Sequence, residues 1–176
     1  MANELNRIPA VLVDYAVYLG NSRLIGTGEV TLPSINAVTA DLEGAGIGGK
    51  VELPVLGKFD SMTTSIAFRT LELAMSELMT PVAKDITVRA SQQVYDGAGG
   101  NLSTEGLVVQ MRVMPKATDH GSMKSGEAMD GKVELEVLRL RVSVGGRELY
   151  EIDKLNCIYR VNGVDYSASI RADLGI

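Results

Sequence analysis

The sequence predicts a single, mainly β (α+β) domain, an antiparallel β-barrel or sandwich with one flanking α-helix. Three observations carry this. Apolar and polar residues alternate with period two over several segments, glycine-containing dipeptides sit between apolar runs in the C-terminal half, and one internal stretch has a strong helical repeat.

In chain order, "VDYAVYL" and "RLIGTGEVTL" flank "GNS" and read as a hairpin. "SMTTSIAFRT" sets Met62, Ile66 and Phe68 against Ser61, Thr63 and Ser65, the pattern of a half-buried strand. "LELAMSELM" repeats Leu71, Met75 and Leu78 among good helix formers, with Pro81 beyond, and so predicts a helix. "LVVQMRVM" places Leu107, Val109, Met111 and Val113 opposite Gln110 and Arg112. In "KVELEVLRLRVSV" the apolar parity starts on Val133, Leu135 and Val137 and then passes to Leu138, Leu140, Val142 and Val144. An extra residue swaps the faces of a strand, so this phase change predicts a β-bulge or bend; otherwise different parts of one strand face different partners. Gly145 with Gly146, and Asn162 with Gly163, suit two-residue hairpin turns with positive φ. "SASIRADLG" adds a short closing helix.

A chain of 176 residues fits one domain with a sizeable core, residues 1–176. Its net charge of -5 argues against tight binding to phosphate backbones, which requires clustered Lys and Arg. Cys157 has no partner for an internal disulfide and in "LNCIYRV" alternates as a buried small hydrophobe would, which fits a reducing compartment. Glu4 and Asp14 surround a short apolar run at the N-terminus, unlike a signal peptide, and no segment reaches the length of a membrane span. Neither general secretion nor membrane insertion is expected.

"DLEGAGIGGKVELP" carries Gly44, Gly49 and Lys50 at the G-x-x-x-x-G-K spacing of a phosphate loop. That chemistry requires Ser or Thr after the lysine and a helix whose amides face the phosphates. Val51 stands there instead, and Pro54 with two valines favours an extended segment. The reading that survives is a flexible or sharply turned glycine loop. Residues 114–132 form a second long polar segment with the only histidine, His120, beside Asp119. One His without a Ser or Cys nucleophile signature gives no catalytic site, and one His with one Cys gives no closed metal site. No catalytic residue, cofactor or metal is predicted.

Three segments together resemble the major tail tube proteins of contractile-tailed phages and phage-tail-like bacteriocins (tailocins). They are "LPSINAVTADLEGAGIGGKVELPVLG", "GSMKSGE" and "LYEIDKLNCIYRVNGVDYSASIRADLGI". The likeness runs from about Leu32 to the end; Met123 departs from it where an aromatic residue is usual. It implies a fold related to the haemolysin-coregulated protein of type VI secretion. It also implies hexameric rings that join their sheets into one inner barrel and stack into a hollow tube inside a contractile sheath. The implied partners are further copies of the chain, the sheath protein, a tape measure protein in the lumen, and baseplate and tail terminator proteins, with DNA only as passing cargo. The implied location is a virion tail or tailocin particle, assembled in the bacterial cytoplasm.

The resemblance further implies that loops at about 42–55 and 116–132 reach toward a neighbouring ring. Leu42, Ile47, Lys50, Val51, Leu53 and Val55 would dock the first, and Lys116, His120 and Lys124 the second. Glu134, Glu136, Arg139 and Arg141 are the strand charges that would face the lumen or another barrel face. Two other classes are a type VI secretion tube and a monomeric β-sandwich binding module; an enzyme would need a convergent polar site that the sequence does not display.

Overall fold

The structure, a computed structural model, describes residues 6–24 and 27–176. Glu4 and the Ile25 and Gly26 of "RLIGTGEVTL" lie outside the described residues. From β7 (Lys84–Asp96) the chain meanders through β8 (Asn101–Asp119), β9 (Gly131–Val144), β10 (Arg147–Asp153), β11 (Ile158–Val161) and β12 (Val164–Asp165). Each strand pairs antiparallel with the next. β1 (Arg7–Leu19) closes on the free edge of β7, and β2 (Ser22–Leu24) adds to the end of β1. β3 (Thr27–Thr31) pairs with β6 (Thr63–Phe68), which joins the sheet through β9. The sheet does not close into a barrel; the architecture is sandwich-like. β4 (Ala37–Leu42) and β5 (Val51–Phe59) pair only with each other among the described strands. Two short helices, α1 (Leu73–Leu78) and α2 (Ala168–Leu174), complete the described residues.

β9 organises the molecule. On one edge it pairs with β8 throughout; on the other it pairs with β6 at residues 131–136 and with β10 at residues 139–144. The change of partner falls where the sequence changes phase. The β8 ladder steps from Arg112 opposite Arg139 to Val113 opposite Val137, leaving Leu138 as the extra residue of a bulge. Freed backbone groups find other partners: the Val137 N–H donates to the Met62 carbonyl at 2.7 Å, and the Leu138 carbonyl accepts from Lys154 N–H at 3.0 Å. Both sequence readings of the phase change are therefore right at once.

The bulge keeps Val133, Leu135, Val137, Leu140 and Val142 on one buried face despite the parity switch. They pack with Ile66 and Phe68 of β6, Ile86 of β7, Met111 of β8, Ile152 of β10, and Met75 and Leu78 of α1. Thr64 is fully buried among them because its hydroxyl donates to the Thr31 carbonyl at 2.8 Å, tying β6 to β3. Both predicted hairpin turns are present, with φ of 57° and 80° at Gly145 and Gly146 and of 49° and 82° at Asn162 and Gly163.

Three expectations change. The predicted helix starts at Leu73, leaving Leu71 exposed outside it. Cys157 is not a buried strand residue; it sits half-buried in the turn before β11 with φ of 50°. The polar segment read as a loop over 116–132 is mostly strand at its ends, since β8 runs to Asp119 and β9 begins at Gly131. Pro115 is accommodated because it lies at a register shift, where a strand tolerates a missing donor.

Candidate assembly surfaces

The β4–β5 hairpin projects as an arm, and every residue from 34 to 56 is exposed. Its register places Leu42 opposite Val51 and Ala40 opposite Leu53, so with Val55 these form one apolar face, while Asp41 and Glu52 occupy the other. A two-stranded hairpin is marginal alone in water. Exposed apolar patches of this kind are features that commonly mark interaction sites.

At the arm's tip, residues 43–50, Gly44 and Gly46 have φ of 158° and 91°, and the Ile47 N–H donates to the Gly44 carbonyl at 3.1 Å. Lys50 lies 2.7 Å from the Asp41 carboxylate and Val51 opens a strand, so the helix that a phosphate loop needs is absent here. Lys50→Ala is accordingly expected to leave nucleotide binding at background; calorimetry showing an affinity that this substitution removes would restore the phosphate-loop reading.

The arm's root is fixed. Phe59 meets Tyr159 edge-to-face at 5.0 Å between ring centroids, and Tyr159 contacts Tyr166. Gly57 has φ of 70°, and a Cβ there would stand 2.7 Å from Ser167 Oγ at the start of α2, so this crossing requires glycine. α2 is held in turn by Arg171, which donates to Asp165 at 2.7 Å and to the Cys157 carbonyl at 2.9 Å. That pairing draws the Asp165 carboxyl below its ordinary range.

The second predicted contact group is divided. Lys116 lies in β8 and donates to Thr63 Oγ1 at 2.9 Å. His120 and Lys124 lie in the connection over 120–130, where Lys124 is 3.4 Å from Glu127. That connection is tied back to the body by the Met129 N–H, which donates to the Arg69 carbonyl at 2.7 Å.

Glu134, Glu136, Arg139 and Arg141 do share a surface, because the bulge at Leu138 returns all four to the face opposite the core. Each is paired. Glu134 meets Lys132 at 2.9 Å, Glu136 meets Lys154 at 2.5 Å and Ser61 at 2.6 Å, Arg139 Nε donates to Glu151 at 2.9 Å, and Arg141 donates to Glu148 at 2.7 Å. Glu151 also accepts from Arg160 at 2.6 Å and is nearly buried, which the sequence analysis did not foresee. No alternation in "RELYEID" marks it, because a register shift between Glu148 and Tyr150 puts Glu148 with Glu151 on the face opposite Tyr150 and Ile152.

The hydrogen bond to Glu151 raises the Arg139 pKa. Burial pushes the Glu136 carboxyl up, but Lys154 and Ser61 outweigh it and hold the group below its ordinary value. A depressed carboxyl pKa gives stability that is complete above the unfolded value and lost as pH falls through the folded one. The melting temperature is therefore expected to hold near neutrality and fall below about pH 4, with Glu136→Gln flattening that acid limb. A variant with an unchanged acid limb would remove Glu136 from the account.

The edges of the large sheet are also open. β1 is paired on one side with β7, but among the described residues its other edge meets β2 only at residues 17–19. Ile8, Val11, Leu12 and Val13 on β1, with Tyr95 and Leu102 on the adjoining ends of β7 and β8, are exposed. At the opposite end β12 covers β11 through two residue pairs.

A family model described as phage tail tube protein FII matches residues 9–175. The tail tube protein of Escherichia phage P2 is 29% identical over 150 residues, covering 84% of this chain and 86% of that protein. The major tail tube protein of Serratia phage KSP20 is 27% identical over 171 residues, covering 96% and 98%. Among solved structures, the sheath/tube terminator of an extracellular contractile injection system, PVC, superposes with a TM-score of 0.54 at 16% identity, over 77% of this chain and 97% of that one.

Proposed function

The chain belongs to the phage tail tube protein FII family and is a structural subunit of a contractile tail's tube, and from that premise we propose that it forms hexameric rings which stack into a hollow conduit. The observation that supports this best is the uncovered apolar face of the β4–β5 arm, held out from the body on a root clamped by α2. Ring closure would use the open edge of β1, since edge pairing around a circle removes the unpaired backbone groups that a soluble monomer must otherwise protect. Stacking would use the arm, with Leu42, Ile47, Val51, Leu53 and Val55 against the next ring and the connection over 120–130 beside it.

The sheet's orientation follows from bulk. One face is covered by β3, β6 and α1, and a covering layer is accommodated on the outside of a ring, where the circumference is larger. The bare face with Glu134, Glu136, Arg139 and Arg141 would then line the lumen. No role in this reading calls for catalysis, a metal or a cofactor. Sheath protein would meet the outer layer, baseplate and terminator proteins the two tube ends, and tape measure protein and then DNA the lumen, in a tail assembled in the bacterial cytoplasm.

The test is negative-stain microscopy of the purified chain at high concentration, with solution mass from light scattering. Rings or hollow tubes are the expected result. Particles that stay monomeric even with baseplate components added would overturn the proposal in favour of a monomeric binding module.

A further inference from the structure

The bare face of the sheet carries an unusual vertical arrangement of charge. Across neighbouring strands, Tyr18, Thr87, Gln110, Arg141, Glu151 and Arg160 stand successively opposite one another, a polar row perpendicular to the strands. The next row places Asp85 opposite Arg112, Arg112 opposite Arg139, and Arg139 opposite Asp153. Two arginines directly opposite repel each other, so acids must compensate them. Depth separates the two signs. The side chains of Arg139 and Arg141 are 46% and 45% exposed, whereas those of their partners Glu151 and Glu148 are 4% and 17% exposed. Guanidinium groups thus form the surface that another molecule would touch, and their charge is cancelled from underneath. Arg89 joins the same layer, lying over the Tyr18 ring at 5.9 Å from its centroid.

We propose that Glu148 and Glu151 determine whether this face holds or releases a polyanion, acting as an underlying layer that neutralises its arginines. Arginine is the side chain best suited to bind phosphate in two-point geometry. A row of them along a conduit would hold a nucleic acid backbone through counterion release, a term that grows with every uncompensated cation. Glu151 accepts from Arg139 and Arg160, and Glu148 accepts from Arg141 Nε, so each of these guanidinium groups spends only part of its five-donor fork on a carboxylate that sits directly beneath it. A phosphate that reaches the remaining N–H groups meets the opposing field of the carboxylate beside them and gains little net attraction. A duplex therefore passes over arginines whose charge is already offset by carboxylates. This inference rests on the lumen reading for its biological setting, but the neutralisation itself is a property of the isolated subunit.

The experiment uses the full chain and a short fluorescent DNA duplex, followed by anisotropy at low salt. Wild type is expected to show no saturable binding. Glu148→Gln with Glu151→Gln should bind about tenfold tighter or more, with affinity falling steeply as salt is added. Adding Arg139→Gln and Arg141→Gln to that variant should abolish the gain. Because Glu151 is nearly buried, Glu148→Gln alone provides a milder variant with a smaller gain, and circular dichroism melting identifies which variants are folded. A folded variant with no gain, or wild type that already binds as tightly, overturns the inference. Microscopy of the same proteins is scored separately: a gain in binding without rings or tubes sinks the tube assembly alone, and tubes without a gain sink only the neutralising role.

Discussion

Deleting residues 43–50, with the hairpin rejoined by a two-residue turn, is expected to give a folded subunit whose rings do not stack. None of these residues enters the core, and all are exposed, so the melting temperature should stay within about a degree or two of wild type. The docking loss should be large because it repeats in every subunit. Each apolar side chain taken out of water contributes about 1.5–3 kcal/mol, and every 1.4 kcal/mol is about tenfold in an association constant. A second variant, Leu53→Glu with Val55→Glu, keeps the tip and charges only the apolar face. In both, microscopy and sedimentation should find tube length collapsed to single rings. Tubes of normal length in either variant would remove the arm from stacking.

Leu135→Ala should produce the largest loss of stability among single substitutions in the sheet. Leu135 is fully buried in the segment of β9 that is paired on both edges, opposite Thr64 on one side and Pro115 on the other. Surroundings constrained on both sides cannot collapse readily into the vacated space, so the cost is about 3–4 kcal/mol. For a chain of this size that corresponds to a fall of about 10 °C in melting temperature. A fall of only a degree or two by calorimetry would show that β6 and β8 close around the cavity.

Much of this architecture is legible in the residues, for a reason that also explains the exceptions. Where one face is buried and the other wet, as at Ile66 and Phe68 or at Val109, Met111 and Val113, alternation reports the strand directly. The bulge at Leu138 was legible because both halves of β9 bury their apolar set. β7 is less legible: Ile86, Val88 and Val94 share its buried parity, but Ala90 and Gln92 stand between them and interrupt the apolar run. Cys157 misled because Asp153 overrides alternation. Its carboxylate accepts from the Leu155 and Asn156 N–H groups at 3.1 and 2.9 Å and turns the chain before β11. Of the proposed surfaces, the arm's apolar residues follow from the family resemblance and their common face from the β4–β5 register, whereas nothing in the sequence marks Glu151, which becomes buried only through partners on β9 and β11 brought together by the fold.

The strand order has a consequence for how the chain finds this structure. β7 through β12 pair with sequence neighbours, by short turns except for the connection over 120–130 between β8 and β9, so this meander can assemble from local hairpins. β1 must instead return to β7 across the whole intervening chain, and β6 must reach β9 past two longer strands. Those closures carry the larger entropic cost and should come late, leaving the outer edge of β7 briefly unprotected. The arm lies inside the last loop to close, so its angle is set only when the body is complete. If the arm docks as proposed, a nascent subunit would lack a positioned hairpin, and polymerisation would wait for folding to finish.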